Sequence, residues 1–320
     1  APFDKGHVDV ALVSLFSDGD FFQAYQAGAE KQANALGIRL RRFPGRGDSA
    51  RQRDAIEQAI NLGVKGLIID HGMPDTIRDV AQKAVDAGIK VVAFDVELNN
   101  PRIPQITQSD HDLAQRVLAQ ALQDNGETFE AGLVYVPGSA PLDRRFAQWQ
   151  QFRKAHPGVH ESARWGTVSG SVAATVADQS AAVFRSHPQI SVVFAPWDEF
   201  ARGVKLAVDE ATPRKNVRIY SADISTPDIQ AMRAANSAWV ATAATNPAVV
   251  GAVSVRTLAL LLAGQDPGHQ ITVKPTLVTR DFLVKNNIAN LADLEARLPA
   301  FAHSDAARAP WIPEPAAPSR

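Results

Sequence analysis

"GIKVVAFD", residues 88–95, opens like buried backbone and closes on a charge. Ile89, Val91, Val92, Ala93 and Phe94 form a short apolar run without polar alternation, the pattern of a strand covered on both faces in a parallel sheet. Asp95 ends it. "GVKGLIID", residues 63–70, has the same pattern 25 residues earlier and ends in Asp70. That interval fits one strand-plus-helix unit, not a solenoid repeat.

Outward from these two strands the alternation continues. Before them lie "VDVALVSLF", the helical "FFQAYQAGAEKQANALG", "IRLRRF" and the helical "SARQRDAIEQAINLG"; "PDTIRDVAQKAVDAG" separates the pair. Helices close on Gly37, Gly63 and Gly88, which accept the left-handed cap. After the prolyl loop "ELNNPRIP" a second series begins. Its strands are "AGLVYVPG", a segment near "SARWGTV", "ISVVFAPWD", "VRIYSAD" and "WVATAATN", with helices "RRFAQWQQFRKA", "SVAATVADQSAAVFRSHP", "EFARGVKLAVDEA" and "TPDIQAMRAA" between them. The helix "PAVVGAVSVRTLALLLAG" and a strand near "TLVTRDF" come last. The fold class expected is α/β, two similar doubly wound parallel-sheet lobes. The Pro/Ala-rich "AARAPWIPEPAAPSR" reads as a poorly ordered or surface-draped tail.

Composition limits the function. The 320 residues are 45% hydrophobic with a formal net charge of −1, ordinary for a globular chain long enough for two domains and unsuited to binding polyanions by bulk charge. No apolar stretch reaches the roughly 18 residues of a membrane span. Zero cysteines exclude disulfides, thiolate zinc and thiol catalysis. The opening "APFDKGHVDV" has no initiator Met, which is expected after removal of a signal peptide that ends in a small residue.

In open parallel sheets ligands bind beyond the carboxyl ends of the strands, where loops and helix N-termini gather. Asp70, Asp95 and Asp223 end strand-like runs, and Asp18 and Asp20 follow the first strand. Any one of them could be a helix cap or turn residue, but five at equivalent places point to a ligand. An ionised carboxylate is an acceptor for several hydroxyls, and Phe21, Phe22, Trp165 and Trp197 offer ring faces to the C–H side of a sugar.

These residues carry a resemblance. "VSLFSDGDFFQAYQAGAEKQANALG", "GLIID", "VVAFD", "QSDHDLAQ", "RRFAQWQQF", "VVFAPWDEFARGVKLAV", "IYSADISTPDIQAM" and "ATAATNPAVVG", in this order and spacing, are similar to the periplasmic sugar-binding proteins of bacterial ABC transporters, in the ribose/galactose-binding branch of the type I fold. The likeness spans roughly residues 8 to 285. It implies a three-strand hinge and an N-terminal lobe of 1–108 plus about 246–275. It further implies a C-terminal lobe of 109–245 plus about 276–300, leaving 301–320 as the tail. A monomer that closes on a sugar or polyol in the periplasm is implied, with an inner-membrane permease as partner, a chemoreceptor as a further one, and no cofactor, metal or nucleic acid.

Position by position, the resemblance places the stacking aromatics on Phe21 and Phe22, with Asp18 or Asp20 in place of the usual Asn. The residue ending the third strand falls on Asp70 and the hydroxyl-binding Asp on Asp95, where Val96 replaces the ribose-type Arg. The second lobe's Arg falls on Arg145, next to Arg144. An Asn is replaced by Trp197, and the remaining positions fall on Asp223 and on Thr245 beside Asn246. These departures argue against ribose itself and leave another pentose, a hexose or a linear polyol.

Other motifs are weaker. "GRGDSA" matches G-x-G-x-x-A, but the strand before it is basic and Pro44 interrupts the junction, so it reads as a surface turn. In "SDHD", around His111, Ser109 or Asp110 is expected to cap a helix. Phe146, Trp149 and Phe152 recur at near-helical spacing and read as core. The effector lobe of a LacI-type regulator would need a helix-turn-helix ahead of the first strand, which already starts near residue 8. An α/β sugar-metabolising enzyme would need a Lys, metal cluster or acid/base pair at the strand ends, and only His71 beside Asp70 offers a partner.

Overall fold

The computed structural model describes residues 3–4, 6–211 and 216–315. The chain divides into two compact units: residues 1–108, 246–273 and 303–320 form the first, 109–245 and 274–302 the second.

In the first unit, β1 (Val8–Ser14), α1 (Asp20–Leu36), β2 (Ile38–Pro44), α2 (Ser49–Asn61), β3 (Gly66–Asp70), α3 (Pro74–Asp86), β4 (Lys90–Phe94) and β5 (Gln105–Thr107) follow in order. α9 (Pro247–Leu262) and β11 (Gln270–Thr272) complete it. The sheet order is β11-β5-β4-β3-β1-β2, parallel throughout. Its central strands are apolar because both faces are covered: Leu12, Ile68 and Val92 face the layer with α1 and α9, while Val13, Ile69 and Val91 face that of α2 and α3. β2 lies at the edge, which explains the half-exposed, arginine-rich "IRLRRF".

The second unit comprises α4 (Asp110–Asn125), β6 (Phe129–Val134), α5 (Ala140–Ala155), β7 (Val159–Trp165), α6 (Val172–Ser186), β8 (Val192–Ala195), α7 (Asp198–Glu210), β9 (Arg218–Ala222), α8 (Thr226–Arg233) and β10 (Trp239–Ala244). β12 (Thr276–Thr279) follows, with short helices α10 (Arg280–Lys285), α11 (Leu291–Arg297) and α12 (Pro299–Ala302). Its sheet, β12-β10-β9-β8-β6-β7, has the order of the first, but β12 runs antiparallel to β10. The strand foreseen over "TLVTRDF" therefore stops at Thr279, whose hydroxyl caps α10 by accepting from the Phe282 amide.

In each sheet the strand order reverses once, between β1 and β3 and between β6 and β8, while these neighbours stay parallel. The loops that leave these neighbours go to opposite faces and open a crevice at the strand ends. The third element of the fold is the C-terminal segment. After α12 the chain returns to the first unit, a fourth passage between the units beyond those after residues 108, 245 and 273. There Arg256, 2% exposed, donates to the carbonyls of Ser304 and Ala306, Gln32 donates to the carbonyl of Pro313, and Ile312 is buried. Of the two readings the sequence left, poorly ordered or surface-draped, the segment up to residue 315 takes the second and packs onto its unit; residues 316–320 lie outside the described residues.

Candidate functional site

Each unit gathers polar side chains at the carboxyl ends of its strands. In the first, Asp70 ends β3 fully buried and accepts from the Ser14 hydroxyl at the end of β1, its register neighbour. Burial pushes its carboxyl above the usual carboxylate range, and His71 and Ser14 oppose that shift. Asp95 follows β4, and the Gln108 amide donates to its Oδ2 over 3.3 Å. The His71 imidazole stands between these carboxylates, Nδ1 3.5 Å from Asp70 Oδ1 and Nε2 3.5 Å from Asp95 Oδ2.

Sharp exits from the sheet make this possible. His71, Asp95, Ser109 and Asp223 all have positive φ, between 50 and 76°. The His71 amide still donates to the carbonyl of Phe94, and that of Asp223 to Ala243, so ladder bonding persists while the side chain is re-aimed. Asp tolerates this region; His and Ser do so at a cost that structure elsewhere must offset.

Aromatic rings flank the first-unit carboxylates. Phe22 lies edge-on to His71 at 5.1 Å, Phe16 at 5.9 Å and Phe94 at 5.4 Å, while Phe21 stacks on Phe94 and Tyr25. Phe21 and Phe22 are half-buried, and Phe16 is 44% exposed. Asp18 and Asp20 are exposed in the loop and first turn of α1, and Asp20 complements the positive helix terminus.

In the second unit Arg145, 3% exposed, is the hub. Its Nε donates to Asp110 at 2.9 Å, one terminal nitrogen to the Pro196 carbonyl and to Asp223 at 2.8 and 2.9 Å, and the other to Asp223 at 3.3 Å. Arg144 donates to the second Asp110 oxygen at 2.8 Å. Burial raises the Asp223 carboxyl above its ordinary value, and Arg145 pulls it back. Asp198, first residue of α7, sits beside buried Asp228; desolvation first, then Asp228 and Asp223, push its carboxyl well above the usual range. Arg202 donates to Asp228 at 2.8 Å. Trp197 precedes α7, half-buried and edge-on to Phe200 at 5.1 Å. Thr245 and Asn246, each 3% exposed, follow β10, and the Asn246 side chain caps α9 by accepting from the Ala248 amide at 3.1 Å.

Two sequence readings change. Trp165 is not with the site aromatics: it is 8% exposed, donates to the Ser180 hydroxyl at 2.9 Å and lies over Gly132, where a Cβ would come within 2.5 Å of the indole. Asp110 is held by two arginines and does not cap α4; the capping residue Ser109 makes no side-chain cap bond either. "GRGDSA" is the surface turn expected from the sequence: Asp48 caps α2 by accepting from the Ala50 and Arg51 amides, while Gly45 backs onto the Ser14 carbonyl. Sequence reasoning missed Phe16, Gln108, Asp198, Arg202 and Asp228, and gave His71 and Asp110 other roles. "PWDE" and the polar "QSD" were their only signals.

Residues 10–266 match the family model for the periplasmic binding protein domain. Among solved structures, a 5-methylthioribose transporter solute-binding protein from Thermotoga lettingae, in complex with 5-methylthioribose, is 38% identical, with a TM-score of 0.89 over 95% of this chain and 97% of that one. A sugar ABC transporter protein from Yersinia enterocolitica is 28% identical, with a TM-score of 0.87 over 96% and 94% of the two chains. The ribose import binding protein of Bacillus subtilis is 23% identical over 283 residues, 87% of this chain and 89% of that protein.

Proposed function

We propose, from the premise that this chain belongs to the periplasmic binding protein family, that it is a solute-binding protein of an ABC sugar importer. Its ligand is a monosaccharide or closely related polyol, captured by hinge closure in the periplasm and released to a membrane permease. No turnover is required: affinity comes from hydroxyls paired with fixed carboxylates and guanidinium, and the signal comes from a closed state that the ligand stabilises. Neither a LacI-type effector lobe nor a sugar-metabolising enzyme is favoured, because the relatives of comparable length are sugar import proteins.

One observation carries the reading. Asp70 and Asp95 in the first unit, and Asp223 in the second, held by Arg145 of α5, stand at the carboxyl ends of strands, Asp70 buried and the other two partly so, each hydrogen-bonded. Acceptors held in this way suit hydroxyl donors. The rings of Phe16, Phe21 and Phe22 supply an apolar flank, which supports a sugar bearing an unhydroxylated substituent. The relative that binds 5-methylthioribose supports the same choice.

Thermal unfolding against pentoses, hexoses, polyols and 5-methylthioribose tests it. Ligand at a hundred times its dissociation constant adds about 2.7 kcal/mol, a shift of several degrees. A shift confined to one sugar or a close set is expected; silence across the panel would contradict the reading.

A further inference from the structure

Both ring nitrogens of His71 face carboxylate oxygens at ion-pair distance, 3.5 Å each. A neutral imidazole has one donor and one lone pair, so one of these contacts would set a lone pair against an anion; the imidazolium offers a donor to each. The surroundings favour that form. The carboxylates come from the end of β3 and from the turn after β4. The Tyr25 phenol on α1 feels both charges, and Gln52 on α2 holds the His71 carbonyl at 2.8 Å. Phe16, Phe22 and Phe94 present their rings to the imidazole, whose side chain is only 17% exposed.

We propose that His71 is a positioning residue, an imidazolium clamp that fixes the Asp95 carboxylate for ligand hydroxyls and makes solute affinity depend on pH. It places, from the residue after β3, a cation beside Asp95, where the next residue in the chain, Val96, offers none. His71 and Gln108 both approach Asp95 Oδ2, which sets the plane of the carboxylate. Deprotonation leaves two buried carboxylates without their shared cation, so affinity falls as pH rises through the imidazolium's titration. The effect on affinity rests on the solute-binding reading; the clamp itself does not.

The test therefore has two arms. Long-range proton–nitrogen correlation spectra of the ligand-free, 15N-histidine-labelled protein, assigned with His71→Gln, report ring protonation directly. Both His71 nitrogens should be protonated at pH 7.5, where an unperturbed imidazole, titrating near 6.5, is mostly neutral. Asp95→Asn should restore a neutral ring. A neutral tautomer in the wild type at pH 7.5 would overturn the clamp. In the second arm, the sugar that stabilises the wild type is titrated between pH 6.5 and 9. Affinity should fall about tenfold over that range, as for one shifted proton, and His71→Gln should be flat. Parallel profiles would overturn the role in binding. If no sugar binds, the solute-binding proposal fails and the spectra still decide the clamp.

Discussion

At the scale of single residues, Asp198 shows what the second unit spends on its polar cluster. Its carboxyl is raised above the unfolded value of 3.8, so the folded state holds the proton more tightly than the unfolded chain. Its contribution is therefore full below about pH 4 and is lost as pH rises through the folded value. Asp198→Asn removes that titration, so the variant should gain stability relative to the wild type as pH rises from about 4 toward neutrality, measured by urea unfolding. A difference constant with pH would remove Asp198 from the account. Trp165 makes the opposite case. Trp165→Phe should leave solute affinity unchanged and cost about 1–3 kcal/mol in stability, by the lost bond to Ser180 and the gap over Gly132. Weakened binding at full stability would return Trp165 to the site.

At the scale of elements, the strands and helices were legible where period and length were strong, as in "GLIID" and "VVAFD". β5, β11 and α12, three or four residues without an apolar run of the kind in "ISVVFA", offer too little pattern to read. The strand-ending Asp70, Asp95 and Asp223 were legible because an apolar run makes its terminal charge conspicuous. The contact of His71 with Asp95 was not legible because it depends on a positive φ and on a partner 24 positions away in the chain. Trp165 was misread because only the sheet register brings Gly132 beneath it. The crossing of α1 and α9 depends on close approach: a Cβ on Gly28 would come within 2.0 Å of the Ala248 carbonyl oxygen, and one on Gly251 within 2.1 Å of that of Tyr25. Gly251→Ala should therefore cost about 1–3 kcal/mol in urea unfolding, by forcing the helices apart. A variant as stable as the wild type would show that the crossing relaxes freely.

At the scale of the whole molecule, two units repeat one plan. Each reverses its strand order once, and each places carboxylates where its own crevice opens. Hinge closure predicts that saturating sugar lowers the radius of gyration measured by small-angle scattering; an unchanged profile with binding established would contradict closure. The central claim is that fixed carboxylates bind the solute's hydroxyls, and calorimetric titration of the panel's best sugar into wild type and Asp95→Ala tests it most directly. The account predicts tight one-to-one binding to the wild type and a loss of about 1.5–3 kcal/mol in the variant for each charge-assisted bond removed. Equal affinity in the two proteins, or no binding by the wild type to any sugar or polyol, would contradict it.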